Sequence, residues 1–347
     1  MATPYKVRNI EVAPGLVLSP MSGVTTRPFR RLIKLLNPGS VGLTVSEFVS
    51  VEGMTRGSQR SLEMMKFSSD ERPYCVQIFG YDLDRMRDAA LMVQDIGADI
   101  VDINCGCPAP KVVKRGGGCE LMRQPDHLKE IIRAVRGAVS IPVTIKIRAG
   151  WDESSRNALE VARMAEGEGV EALAVHARTR AQLYRGLADW SLTEVIADAL
   201  TIPVMGSGDV VDSASAKERL RGRVAGLFIG RAAIWNPFIF KEIHTGEVTD
   251  LRANQGLMVD VLLHYAELLQ EDFQPSSCAG KLKQLASQMA RGAGWRKQLL
   301  TLHTLEQQLS LLQAVKSGAW SPQKTDVLDE VPVVEQELSC DHYSTIT

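Results

Sequence analysis

No apolar run in this chain approaches the eighteen or so residues that a membrane span requires, and the first twenty residues lack the charged and apolar regions of a signal peptide. Those two absences set the expectation of a cytoplasmic protein with no membrane partner. Excess charge is missing too. Forty Lys and Arg stand against 41 Asp and Glu, a formal net charge of -1, so any attraction to a polyanion must come from local clusters. Cysteine is sparse. Six thiols in 347 residues, at positions 75, 105, 107, 119, 278 and 340, do not form a disulfide framework, and at least some are expected to be free. Metal-ligand spacing is absent as well: Cys105 and Cys107 have no second cysteine pair, and His127 is the only histidine nearby. No metal site is expected.

What the chain does have is length, a hydrophobic content of 45%, and a repeating pattern. Short apolar runs recur at Leu16 to Ser19, Leu43 to Ser46, Cys75 to Phe79, Ile100 to Ile103, Val143 to Ile147, Ala172 to His176, Val204 to Gly206 and Gly226 to Ile229. Amphipathic stretches with a 3.6-residue period separate them, among them LDRMRDAALMVQDIG and NALEVARMAEGEG. Eight strand and helix alternations predict a (β/α)8 TIM barrel over residues 1–246. Residues 247–320 read as helices without intervening strands, an appended helical domain. Residues 321–347 carry six acidic residues against one lysine and read as an acidic, disordered tail.

In such a barrel the carboxyl ends of the strands carry the chemistry. Those positions hold Pro20, Met21 and Ser22; Glu47; Gln77; Asn104 and Cys107; Lys146 and Arg148; His176 and Arg178; Ser207, Gly208 and Asp209; and Gly230 with Arg231. Each alone has a bland explanation, such as a lysine reaching solvent or a hydrogen-bonded core histidine. Their joint placement favours an enzyme. Gly208, Gly230 and Arg231 lie after the seventh and eighth strands, where barrels often hold a ligand phosphate. The loop from Asn104 to Gly118 is interrupted by Gly106, Pro108 and Pro110, which predicts neither helix nor strand there and puts Cys107 on a loop at a strand end.

The segments SPMSGVTTRPFRRL, the GCP loop after Asn104, VTIKIRAGW and HARTRAQLYRGLADW together resemble the dihydrouridine synthases, flavin enzymes that reduce uridine in RNA. The match spans roughly residues 10 to 245. It implies FMN as cofactor, NADPH as reductant and a helical domain that helps hold tRNA. Carried over by position, it implies cofactor contacts at Pro20, Met21, Ser22, Gln77, Lys146, His176, Ser207, Gly208, Asp209, Gly230 and Arg231. It implies substrate contacts at Asn104, Lys146, His176 and Arg178, and Cys107 as the catalytic thiol. The chemistry is consistent, since reducing the uracil 5,6 double bond needs a hydride at C6 and a proton at C5, and a thiol of ordinary pKa, about 8.5, is protonated at neutral pH.

The chain departs from the family at Ala177, at Cys119-Glu120, and in the helical domain, where KLKQLASQMARG lacks the usual histidine and aromatic pair. Those departures leave ribosomal RNA open as an alternative substrate. A flavin barrel acting on a free small molecule and a non-catalytic RNA-binding protein are the rival readings. Against the small molecule stand the basic residues Lys111, Lys114, Arg115, Arg178, Arg180 and Arg185, and Lys281, Lys283, Arg291, Arg296 and Lys297 in a stretch from Cys278 to His303 without one acidic residue. A monomer is expected.

Overall fold

The computed structural model describes residues 2–321, so the acidic tail and Cys340 lie outside the described residues. Eight parallel strands, Leu16–Leu18, Leu43–Val45, Tyr74–Phe79, Ile100–Cys105, Val143–Gly150, Ala172–Thr179, Val204–Ser207 and Gly226–Ile229, pair in chain order. The second strand also pairs with the third, and the eighth with the first, so the sheet closes into the expected barrel. The link between strands two and three carries two short helices, Val51–Thr55 and Gln59–Met65.

Alternation along each strand decides what each face does. Val76, Ile78, Val101, Ile103, Ile145, Ile147, Leu173 and Val175 face outward and pack on the helices. The inward set starts apolar, with Val17, Leu43, Val45, Cys75, Ile100, Ala172, Ala174 and Met205 at the floor. Two residues further along, the same faces turn polar. Gln77, Asp102 and Thr144 stand side by side in register, Asn104 pairs with Lys146, and His176 stands between Arg148 and Ser207. The interior thus runs from hydrocarbon at the floor to hydrogen-bonding groups at the mouth. A hairpin, Tyr5–Val7 antiparallel to Ile10–Val12, places Val7 and Val12 in the floor cluster and closes that end.

Two segments differ from the sequence reading. Strands five and six run on through Gly150 and Thr179, because Arg148 and Arg178 are inward-facing members of the strands rather than loop residues. The segment after Asn104 also contains a helical turn, Pro110–Val113, and a 3-10 turn, Gly118–Arg123. Pro110 does not block the first of these because it stands at its first positions, where no intrahelical N–H bond is required.

The helices Gln255–Asp272, Pro275–Met289, Arg296–Thr301 and Leu305–Lys316 follow the barrel. They pack against the first barrel helix, Arg27–Leu36, through Phe29 edge-on to Tyr265. Arg27 Nε donates to Asp272 at 2.9 Å, and Arg31 Nη1 donates to Glu271.

Candidate active site

The fourth strand delivers Asn104 and Cys107 to the mouth, and a chain of hydrogen bonds supports them from below. Gln77 Nε2 donates to Asp102 Oδ2 at 2.7 Å, while Asn104 Nδ2 donates to Gln77 Oε1 at 2.7 Å. Asn104 Oδ1 then accepts the backbone N–H of Gly106 at 3.2 Å and of Cys107 at 2.9 Å. Thr144 Oγ1 donates to the other oxygen of Asp102 at 2.6 Å. The carbonyl side of the same peptide is held as firmly. Gly106 O accepts from Arg148 Nε at 2.9 Å and from Cys119 Sγ at 3.0 Å. The peptide bond entering Cys107 is therefore fixed at both ends.

Gly118 completes this clasp. Its φ is +61°, and a Cβ there would stand 2.5 Å from Cys107 O, so only glycine lets the chain return close enough for Cys119 N–H to reach Cys107 O at 3.1 Å. Cys119 lies beside Cys107, a relationship on which the sequence is silent. Cys75, Cys105, Cys119 and Cys278 are free thiols, and all four are buried, as is Cys107. Burial drives the Cys119 thiol up to about 12 and keeps Cys75 and Cys105 protonated as packing groups.

Around the thiol the mouth is cationic. Burial, reinforced by Arg148, lowers Lys146 to about 8 against the opposing pull of Asp102. His176, only 9% exposed, is held well below the usual imidazole range by burial and then by Arg148, Lys146, Arg178 and Arg231. Burial raises Asp102 to about 6, with Thr144, Gln77 and Lys146 each opposing the rise. Tyr184 covers this group, with Arg231 at 4.7 Å and Arg148 at 5.5 Å from its ring centre.

Most of the sequence-derived site converges here, in unequal roles. Pro20, Met21 and Ser22 follow the first strand at the rim, Ser22 exposed. Glu47, past the second strand, accepts the N–H of Gly23 and so braces that loop. Ser207 is beside His176 in register, and Gly230 and Arg231 follow the neighbouring strand. Gly208 has φ +114°, and a Cβ would meet Ala188 Cβ at 2.9 Å and His176 Cδ2 at 3.2 Å. Asp209 accepts from Arg178 Nη2 at 2.7 Å and from Ala188 N at 2.7 Å. Arg178 is 2% exposed and also donates to Gly186 O and Arg185 O, so its guanidinium is engaged mainly by the protein. Gln77 is wholly buried, below Asn104 rather than at the rim. Asp102 and Thr144 escaped the sequence reading, because their partners stand 25 and 42 residues apart in the chain and nothing local marks them. Among the described residues no cluster of His, Cys, Asp or Glu could hold a metal ion.

The family model described as dihydrouridine synthase (Dus) matches residues 17–319, most of the chain. The chain belongs to the dihydrouridine synthase family. It is similar to tRNA-dihydrouridine synthase B of Pseudomonas syringae pv. tomato, 45% identical over 241 residues that cover 69% of each chain. The enzyme of that name from Pseudomonas aeruginosa is 42% identical over 270 residues, covering 76% of this chain and 79% of the relative. Among solved structures, morphinone reductase in complex with tetrahydroNAD has the same fold, with a TM-score of 0.51 and 14% identity over 72% of this chain and 91% of that one. A 2-naphthoyl-CoA reductase complex superimposes with a TM-score of 0.53 at 13% identity, over 71% of this chain and 52% of that one. For this dihydrouridine synthase family member the barrel is thus a scaffold that it shares with those two reductases.

Proposed function

We propose that this protein is a flavin-dependent oxidoreductase that reduces specific uridines of tRNA to 5,6-dihydrouridine, with FMN as cofactor and NADPH as reductant. Family membership and the names of its relatives support the reaction. The observation that carries the site assignment is the position of Cys107, on a peptide pinned at both ends, beside a buried cationic group at the mouth of a barrel.

The residues suit an FMN. Gly208 carries no Cβ, and one there would press on Ala188 and His176, so its backbone stands close to the His176 ring; a phosphate would be held at this turn by Ser207, Gly208 and Asp209 together with Gly230 and Arg231, which follow the neighbouring strand. Pro20, Met21 and Ser22 would border the ring from the first strand, and Lys146 and His176 from the fifth and sixth. Gln77 would act from beneath. The cations around His176 suit an anionic ligand. When bound, the flavin supplies the hydride for C6 of uracil.

The protein's own groups supply the rest. Cys107 Sγ–H carries the proton for C5, and Asn104 and neutral His176 border the base. Lys146, near 8, holds a proton beside the thiol under neutral conditions. Arg178, tied to Asp209, holds His176 rather than substrate. A base must leave its stack to reach this depth, at a cost of a few kcal/mol. The helices of residues 247–320 offer basic groups for the RNA backbone. No helix among the described residues is long and apolar enough to cross a membrane, and action on tRNA fits a monomeric cytoplasmic enzyme.

The test is direct. Purified protein is expected to carry FMN, to be bleached by NADPH without oxygen, and to be reoxidised by unmodified tRNA with dihydrouridine appearing in the RNA. Cys107→Ala is expected to keep the flavin and its bleaching while tRNA-dependent reoxidation falls about 10²- to 10⁴-fold. A Cys107→Ala protein as fast as the unaltered one removes the thiol from the mechanism, and reoxidation by free uridine as fast as by tRNA points to a small-molecule substrate.

A further inference from the structure

Four polar side chains form an unbroken line through the barrel interior, Thr144 to Asp102 to Gln77 to Asn104, ending on the two amides that lead into Cys107. Three of the four are nearly or fully buried amides and carboxylates, each of which would be costly to leave unpartnered. The polarity of this line is set at one point. An ionised carboxylate only accepts, so Gln77 must turn its NH2 toward Asp102 and its oxygen toward Asn104. Asn104 must then turn its NH2 toward Gln77, which leaves its oxygen for the loop amides. Were the first link reversed, Asn104 would present NH2 groups to backbone N–H donors, and the loop would have to move.

We infer that Asp102 is a positioning residue for the Cys107 thiol, acting through the amide orientations of Gln77 and Asn104. The inference rests on the functional reading above for what the thiol does, but not for where Asp102 holds it. Lys146, beside Asn104 in register, is the cation that favours the ionised form of Asp102, while burial opposes it. Asp102 does not touch the reacting atoms. Its effect is geometric, and a displacement of about 1 Å at a reacting group is enough to cost on the order of 10²-fold in rate.

The discriminating pair is Asp102→Asn and Asp102→Ala in the full-length, flavin-bound protein. Asn retains an oxygen that can accept from Gln77 and an NH2 that Thr144 Oγ1 can accept; Ala retains neither. Two readouts are followed: alkylation of Cys107 by iodoacetamide, mapped by peptide mass spectrometry, and reoxidation of the NADPH-reduced flavin by unmodified tRNA. Asp102→Ala is expected to speed alkylation roughly fivefold or more, as the 9% exposed thiol gains freedom, and to slow reoxidation by about 10²-fold. Asp102→Asn, which keeps an oxygen for Gln77 but no longer excludes the reversed orientation, is expected to fall clearly between Asp102→Ala and the unaltered protein on both. Equal alkylation and equal reoxidation in Asp102→Ala would overturn the inference, as would Asn and Ala variants that are equally impaired. If Asp102→Ala does not fold, Gln77→Met breaks the same line one link on, and its alkylation rate decides. If the unaltered protein is not reoxidised by any RNA, the functional reading fails, and the alkylation contrast still judges Asp102.

Discussion

Arg178 Nη1 lies 3.2 Å from His176 Nε2. A guanidinium only donates, so the ring accepts on Nε2 and carries its proton on Nδ1. Burial and four neighbouring cations keep that ring neutral. Imidazole 15N shifts are expected to report the Nδ1–H tautomer with no titration near 6.5, the ordinary value. The effect on stability follows from the sign. Below about 6.5 the unfolded chain takes up a proton at this residue that the native protein does not, so stability is lost as pH falls through that value, by up to about 1.4 kcal/mol per pH unit. Denaturation of His176→Gln at several pH values is expected to show a shallower acid decline. An unchanged decline would mean that other groups dominate it.

Gly208→Ala should damage both stability and cofactor binding. The backbone conformation is one that alanine adopts only with strain of about 1–3 kcal/mol, and the added methyl meets Ala188 and His176. Melting temperature and flavin content measured on the same preparation check this. Gly256→Ala, which sits in the first turn of the helix Gln255–Asp272, is the comparison and is expected to be tolerated.

Beneath the loop after strand two, Arg30 Nε meets Glu71 Oε2 at 2.5 Å with both side chains almost fully buried. Arg30 also donates to Thr25 O and Lys66 O and sits over the Tyr74 ring at 4.7 Å. Removing one member of such a pair leaves a buried charge without its partner. Glu71→Ala is therefore expected to cost about 3–5 kcal/mol in urea denaturation. A cost under about 1 kcal/mol would show that water reaches Arg30 and replaces the carboxylate.

The basic residues of the helical region divide once their surroundings are known. Arg296 donates to Ser287 O and closes the preceding helix, and Lys281 lies 4.7 Å from the Phe273 ring, half-buried. Arg291 and Lys297 are exposed and Lys283 partly so. Changing those three to Gln is expected to weaken tRNA binding evenly across sequences. The slope of log affinity against log salt should fall by roughly 0.7–0.9 for each phosphate that is no longer neutralised. Arg296→Gln, by contrast, should lower the melting temperature. An unaltered salt slope in the triple variant would locate the RNA elsewhere on the protein.

Much of the fold was legible because a parallel strand buried on both faces is a short apolar run, and eight such runs have few other solutions. Legibility declined where polar residues continued a strand. Arg148 and Arg178 look like loop residues until the barrel supplies an interior for them to face. The hairpin at the floor gave no signal because its strands are three residues each and its turn, with Arg8 at φ +55°, contains no glycine. Gln77 and Arg178 stand out in the sequence at strand ends, but the engagement of Gln77 by Asp102 and Asn104, and of Arg178 by Asp209, was not legible there. Those partners come from other strands and the loops after them, which proximity in sequence does not encode.

The hairpin that fills the floor makes the barrel a cup rather than a tube. Whatever delivers electrons and whatever receives them must queue at one doorway, and so must the product on its way out. Rate and affinity are then coupled through traffic: each visitor, at high concentration, should act as a competitor of the other.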